Sequence, residues 1–302
     1  MMRGEDTEAI SPMTASLTPR SFFWLLFIAC VMGANHVAAR FALDHGADVV
    51  TAVSSRSLVT AMAVAFIVKF YGVPTQMNPR QRKFVLAIGA LVAAQSVLLY
   101  SSVARIPVGL ALLAFNTYPL CTALWAAVLY RHRPNRSVLL AMPVILLGLA
   151  LALDVSSTSA DSMGLGVTLA LAASLVFGLV LVLTQHEVAE LDGRLRTTVS
   201  MSVVGVLALC AGLAQGGLHW PHDAVGWTGL TALTLLYGSG ITLVFVLLPK
   251  LGVVGNSPIL NVEPVAALLM AWGLLGQAMR PIQWVGALLV VATVMALGLR
   301  RR

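Results

Sequence analysis

Ala114-Phe115-Asn116-Thr117-Tyr118-Pro119 returns 145 positions later as Ile259-Leu260-Asn261-Val262-Glu263-Pro264. Each copy lies inside a long apolar run, and the register holds outward from it without a gap. Gly33 falls on Gly178, Leu91 on Leu236, Leu98 on Leu243, Arg105 on Lys250, Ala126 on Ala271 and Leu129 on Leu274. The chain reads as two copies of one unit, each with an Asn-x-x-Pro in its fourth hydrophobic run. In membrane proteins such doubling points to a site between the halves.

The solvent of that unit is lipid. The sequence is 59% hydrophobic and 10% charged, with mean hydropathy +0.90, a composition foreign to soluble domains. Ten apolar runs can be marked at about 22–43, 50–70, 83–104, 108–130, 137–153, 164–184, 196–214, 226–248, 253–276 and 281–299. At ~1.5 Å per residue each can cross a ~30 Å hydrocarbon core as a helix. They lack the alternation of membrane strands, which excludes a barrel. The expected fold is an all-α membrane protein: ten transmembrane helices, as two inverted five-helix repeats around a central cavity. The repeats are expected at 22–153 and 164–299, after a disordered cytoplasmic tail over 1–21. The first run is too long for a signal-peptide core and nine more follow it.

Five spans per repeat is odd, so the second copy enters the membrane from the opposite side. Inverted halves can exchange conformations and open a central site to each face in turn. The charge of +7 follows this topology. With the N-terminus inside, 15 of the 19 Lys and Arg residues lie on the inner face, all but Arg40, Arg56, Arg105 and Arg280. The positive-inside rule then puts both termini in the cytoplasm. The basic excess therefore marks orientation in a bilayer, not a nucleic-acid partner. Cys30, Cys121 and Cys210 are an odd set of intraspan thiols with no disulfide or metal spacing.

Within the repeated motif, Pro119 and Pro264 cannot donate to the carbonyls of Phe115 and Leu260. Asn116 and Asn261 place an amide beside each loosened turn, some eight residues from the outer and inner boundaries respectively. Unsatisfied polar groups in hydrocarbon cost several kcal/mol, so these should face protein or a wet cavity. A kink whose Asn bonds a neighbouring helix and a cavity or gate element both fit. Glu263 is the one acidic residue deep inside a run, and its equivalent in the first copy is Tyr118. A midplane carboxylate costs ~2.5–3.5 kcal/mol or more on insertion scales. It must be paired, protonated or wet, so it is a candidate proton site or counter-charge for a substrate ammonium.

Asn35 and His36 occupy the middle of the first run, as polar contacts or cavity residues. Arg40 can snorkel outward and meet Asp44 at i+4. Arg56 lies roughly 9 Å below the outer boundary and could hold a substrate carboxylate or an outer gate. Tyr100 and Tyr118, with Trp125, Tyr237 and Trp272, are either cavity walls or packing aromatics.

At these positions the chain resembles the drug/metabolite transporter superfamily, in its ten-span EamA-type branch, over nearly all of residues 22–299. Met32-Gly-Ala-Asn35-His-Val-Ala-Ala-Arg40 is similar to the family's first-span Trp-Gly-small-Asn pattern ending in Lys or Arg. Ser55-Arg56-Ser-Leu-Val-Thr-Ala61 resembles its second-span Arg-Phe-Leu-x-Ala, and Asn261-Val-Glu263-Pro264-Val-Ala-Ala its span-nine Glu-Pro element. The family often carries an acid thirteen positions after each proline; here His132 and Gln277 stand there.

The resemblance implies a secondary transporter, with a basket-like bundle around a cavity built chiefly from spans 1, 3, 4, 6, 8 and 9. Amino-acid and small-metabolite exporters are prominent among its bacterial members, which implies a bacterial inner-membrane location. The expected partners are the bilayer and a small-molecule substrate, with a homodimer an allowed assembly and no cofactor or metal required. One carboxylate with amides and aromatics suits a zwitterionic amino acid; a nucleotide-sugar or phosphorylated-metabolite antiporter would want more cavity cations.

An intramembrane hydrolase is the rival class. Tyr237-Gly238-Ser239-Gly240 is a rhomboid-like fragment, but only His36 and His186 lie in or near spans, and no HExxH appears. His219-Trp-Pro-His222-Asp223 offers weak metal spacing in an outer loop. No filter sequence or charged ring suggests a channel, and no GxxxxGK[ST] loop binds ATP.

Overall fold

Lipid supplies no hydrogen bonds to a backbone, so each apolar run must satisfy its own peptide groups. The structure, a computed structural model, describes residues 19–131, 136–153, 160–247, 263–277 and 280–299, and every regular element among them is a helix. In chain order these are α1 (Pro19–Asp44), α2 (Val49–Phe70), α3 (Pro79–Val103), α4 (Val108–Phe115), α5 (Tyr118–Tyr130) and α6 (Arg136–Leu153). After them come α7 (Ala160–Glu187), α8 (Gly193–Ala214), α9 (Ala224–Leu247), α10 (Glu263–Leu275) and α11 (Pro281–Leu299). Of the tail expected over 1–21, residues 1–18 lie outside the described residues, as does Asn261, while Pro19, Arg20 and Ser21 already belong to α1.

Helix starts follow local chemistry. The Asp48 carboxylate accepts from Thr51 N at 2.6 Å and caps α2, while Asn78 and Gln81 form a reciprocal capping box ahead of Pro79 on α3. Asp192 caps α8, the repeat counterpart of α2, through Arg194 N. Among the described residues six stretches are long and apolar enough to cross a membrane: Leu26–Asp44, Val49–Phe70, Pro79–Val103, Val108–Tyr130, Gly164–Glu187 and Gly193–Ala214. Shorter apolar helices cover Pro143–Ala152, Ala266–Leu275 and Pro281–Thr293, so ten crossings remain an expectation. Phe66, Phe70, Leu140, Trp272 and Leu274 point their side chains outward, as a lipid-facing surface allows and an aqueous one would penalise.

Packing follows the sequence repeat. Under the 145-residue shift, α1 maps onto α7, α2 onto α8, α3 onto α9, α5 onto α10 and α6 onto α11. The contacts obey the exchange: α1 packs on α9 and α3 on α7, α1 on α10 and α5 on α7, α2 on α9 and α3 on α8. The pairs α2–α8 and α6–α11 map onto themselves. Such self-complementary pairing is the signature of a two-fold relation between halves.

Gly33 and Gly178 show it at atomic scale. A Cβ on Gly33 would stand 3.0 Å from Ala267 N, and one on Gly178 would stand 2.7 Å from Thr122 N. Thr122 and Ala267 are themselves repeat equivalents. Each glycine lets the backbone of a proline-containing helix come into contact, the close approach that helix association in lipid exploits.

The fourth span is broken where the sequence leads one to expect a loosened turn. α4 ends with Asn116 as its C-cap and α5 restarts at Tyr118, with Pro119 in its first turn. The turn tightens to i→i+3 bonds, Thr117 N to Ala114 O at 3.3 Å and Leu120 N to Thr117 O at 2.9 Å. Thr117 Oγ1 donates to Ala114 O (2.8 Å) and reaches Ser174 Oγ on α7 at 2.9 Å, so the neighbouring half supports the break. The described part of α10 starts at Glu263, the equivalent of Tyr118.

Candidate functional site

Four of the sequence candidates form one contiguous polar cluster in the bundle interior, and a fifth joins it through a ring. His36 Nε2 on α1 meets Glu263 Oε1 on α10 at 3.2 Å, with the histidine side chain 8% and the carboxylate 28% exposed. Beside it, the Tyr100 hydroxyl on α3 donates to Asn35 Oδ1 at 2.9 Å. Asn35 Nδ2 in turn donates to Met32 O at 2.7 Å, which fixes the amide orientation. The His36 and Tyr100 rings are 5.7 Å apart. Arg56 on α2 places its guanidinium carbon 4.6 Å from the Tyr100 ring centre and 4.0 Å from that of Tyr237 on α9. Both repeats contribute: Asn35, His36, Arg56 and Tyr100 come from the first, Tyr237 and Glu263 from the second.

The cluster answers the cost of burying charge. Glu263 is neither alone nor fully dry: a histidine faces it, and it keeps part of its surface open. His36 Nδ1 is buried without a hydrogen-bond partner.

The remaining candidates lie elsewhere. Asn116 is buried at the α4–α5 break with Nδ2 unpartnered, and Tyr118 packs against Phe115 and Phe177, 5.7 and 5.1 Å between ring centres. Pro264 lines a narrow gap between α4, α10 and α11, beside Gly109 and Leu268. Arg40 donates to Asp44 at 2.8 Å and to Val103 O, bracing α1 against the end of α3 rather than entering the cluster. Trp125 donates to Leu175 O on α7, and Trp272 faces outward; neither joins the polar centre.

Two sizeable cavities lie between helices among the described residues. One of about 510 Å³ lies between α2, α8 and α9 near Trp220 and Trp227, and another of about 360 Å³ between α1, α9 and α10 near Phe41 and Met270. Both are apolar, and none of the cluster's five sequence candidates lines either.

Ties between the halves sit at both ends of the bundle. At one end the α1–α2 turn meets the α8–α9 loop: His45 Nδ1 lies 2.7 Å from Asp223 Oδ2, and His219 Nδ1 lies 2.9 Å from Asp48 Oδ2. Backbone bonds reinforce them, Asp48 N to His219 O at 3.2 Å and His222 N to His45 O at 2.9 Å. His219 and Asp223 of the outer-loop His-Trp-Pro-His-Asp stretch are thus used as ties, and no metal-ligand cluster of three or more such side chains occurs among the described residues. At the opposite end Arg80 bonds Glu187 at 2.7 Å, and Tyr130 donates to the other carboxylate oxygen at 2.8 Å. Gln277, which stands where the family often has an acid, accepts from Val108 N at 3.1 Å and satisfies an orphan donor at the start of α4.

The Asp48–Thr51 and Asp223–Gly226 bonds give the first tie a pH dependence. Burial alone would raise the Asp48 carboxyl, but hydrogen bonds from Thr51 and His219 outweigh it and hold it below the usual range. The Gly226 amide and His45 do the same for Asp223. A carboxyl depressed on folding stabilises above its unfolded value, about 3.9, and loses that contribution as pH falls through its folded value. Wild-type protein should therefore lose more thermal stability between pH 7 and pH 3 than Asp48→Asn/Asp223→Asn protein, by about 2 °C or more in melting temperature. Equal losses in the two proteins would show that these carboxylates carry no linkage.

The sequence pattern of the EamA-like transporter family matches residues 20–153 and, a second time, 164–299. The chain belongs to the EamA-like transporter family. Like other EamA-like proteins it is an integral multi-pass membrane protein of the small-molecule transporter class. A crystal structure of another protein is similar at a TM-score of 0.56 and 17% identity, covering 94% of this chain and 98% of that one, a likeness of fold alone. No curated protein matches the chain. In this EamA-like chain Ser239 donates to Leu236 O at 3.2 Å, and His36 and His186 are engaged with Glu263 and the Tyr130 ring, not with that serine.

The sequence marks Asn35, His36, Arg56, Tyr100 and Glu263 one by one. It does not mark Ser96, which accepts from Arg56 Nη2 at 2.9 Å. A serine inside an apolar run is too common to signal anything.

Proposed function

We propose that this protein is a secondary transporter, an exporter or exchanger, that moves amino acids or similar small polar metabolites by alternating access. The observation that carries this reading is the His36–Glu263 pair, a carboxylate and a proton acceptor from opposite repeats meeting at 3.2 Å within the bundle. Glu263 receives the substrate ammonium, and a proton taken up by the His36–Glu263 pair displaces it, which couples flux to the pH gradient. The two units 22–153 and 164–299 lie inverted in ten spans, with both termini in the cytoplasm of a bacterial inner membrane. The exchange-symmetric contacts between helices support that arrangement, because halves packed this way can trade conformations at little cost.

The alternative of a nucleotide-sugar or phosphorylated-metabolite antiporter fits less well. Such a substrate needs several cations in the site, and of the two candidates Arg40 is already bound to Asp44 and Val103.

The test is uptake of labelled amino acids into proteoliposomes, with and without an imposed pH gradient. Saturable uptake of at least one amino acid, accelerated by the gradient, is expected. Uptake of none, with phosphorylated metabolites carried instead, would overturn the reading.

A further inference from the structure

Arg56 is the odd member of the polar cluster. An arginine side chain stays charged in any protein environment, and this one is only 4% exposed. Among the described residues no carboxylate approaches it within ion-pairing distance; those ion pairs all lie elsewhere. Its one hydrogen bond among the described residues goes to a neutral acceptor, Ser96 Oγ, at 2.9 Å. Its Nε is buried and donates to nothing. Buried charges are normally paired, so a guanidinium left this way lacks its natural partner.

The chemistry of what surrounds it suits one kind of partner. The Tyr100 and Tyr237 rings attract the cation through their π faces but offer it no oxygen. Their hydroxyls are turned away, Tyr100 to Asn35 and Tyr237 to Met201 Sδ at 3.5 Å. One turn along α2, on the same face as Arg56, Thr60 Oγ1 is also buried and unpartnered. It sits 3.5 Å from the point where a Cβ on Gly238 would be, so α9 approaches it without a side chain in the way. An unfilled guanidinium edge, a serine hydroxyl and a free threonine hydroxyl make a donor set suited to a planar two-oxygen anion.

Placement between the repeats sharpens the choice. The repeat equivalent of Arg56 is Met201, so this cation, like Glu263, has no counterpart in the other half. The positive group belongs to the first repeat and the negative one to the second, with Tyr100 next to both Arg56 and His36.

We infer that Arg56, with Ser96 and Thr60 beside it and the Tyr100 and Tyr237 rings as walls, is the receptor for the carboxylate of a substrate whose ammonium goes to Glu263. The inference rests on the transporter reading above and adds to it the recognised group. A zwitterion held at both ends ties one repeat to the other, so binding itself biases how the halves sit.

The experiment is direct binding to the purified full chain in lipid nanodiscs, with no flux involved. Each of the twenty L-amino acids is titrated beside its carboxamide, with acetate and inorganic phosphate as simple anions. At least one amino acid is expected to bind about tenfold or more tightly than its amide, as loss of a bidentate charge-assisted contact requires. In Arg56→Gln that preference should vanish, acid and amide binding alike, while Arg56→Lys keeps the charge and a reduced preference. A purely structural arginine would lower stability in both variants and leave the acid-to-amide ratio unchanged.

Equal binding of acid and amide by the wild type, no binding of any carboxylate, or a preference surviving in Arg56→Gln would each overturn the inference. Arg56-dependent binding of phosphate in place of amino acids would overturn it too. The wild-type comparison stands even if Arg56→Gln does not fold. A clear acid preference in protein that carries no flux would sink the transporter reading and spare the receptor; flux without acid preference would do the reverse.

Discussion

Glu263→Gln protein in proteoliposomes is expected to fold as the wild type does and to transport about a hundredfold more slowly. Glutamine keeps the shape and can still hydrogen-bond His36 across the 3.2 Å contact, so the bundle loses little. What disappears is the only described charge that faces both His36 and the interior. Losing the carboxylate that receives the substrate ammonium costs roughly 3 kcal/mol of binding, which converts to that factor in rate or affinity. The pH-gradient dependence should disappear along with it, because the remaining pair can no longer exchange a proton for a substrate ammonium. Transport at the wild-type rate would remove Glu263 from the mechanism, and a slow but still gradient-driven flux would assign coupling to another group.

The second large effect concerns the frame. Gly178→Leu should prevent the stable bundle from forming, with loss of a monodisperse, cooperatively melting species. A Cβ at Gly178 would lie 2.7 Å from Thr122 N and 2.8 Å from the Cys121 carbonyl carbon, which are backbone atoms and cannot rotate aside. Overpacking of ordinary cores costs ~1–3 kcal/mol, and a clash with rigid backbone lies at or beyond the upper end. Gly33→Leu should behave alike, since its neighbours Ala267 N and Glu263 O stand at 3.0 and 3.1 Å. Gly273→Leu is the control: nothing lies within 4 Å of its would-be Cβ, and the variant should melt as the wild type or slightly above it. Normal folding of Gly178→Leu would mean that α5 and α7 do not pack as described.

Much of this was legible from residues alone, for physical reasons that differ by feature. Lipid demands contiguous apolar runs, so the helices from Val49–Phe70 to Gly193–Ala214 fall within a few residues of where hydropathy places them. The repeat was readable because Gly33 and Gly178 answer the same packing need twice. Glu263 stood out because a carboxylate in hydrocarbon needs a reason. Its partner did not: that His36 faces Glu263 while Asn35 faces Tyr100 depends on how α1 is rotated, which neighbouring helices decide. Nor does sequence spacing reveal that Arg56 meets Ser96, or that Asp48 and His45 reach a loop some 170 residues on. The broken fourth span was half visible, as the proline marks the weak turn but the exact restart at Tyr118 needs the support of Ser174.

One site reached from either face in turn is the central claim, and trans-stimulation measures it most directly. Proteoliposomes preloaded with an unlabelled amino acid that the protein carries should take up the labelled form several-fold faster than empty ones, and the uptake should saturate. Uptake indifferent to the internal amino acid, accompanied by unitary currents across a planar bilayer, would contradict alternating access and identify a channel.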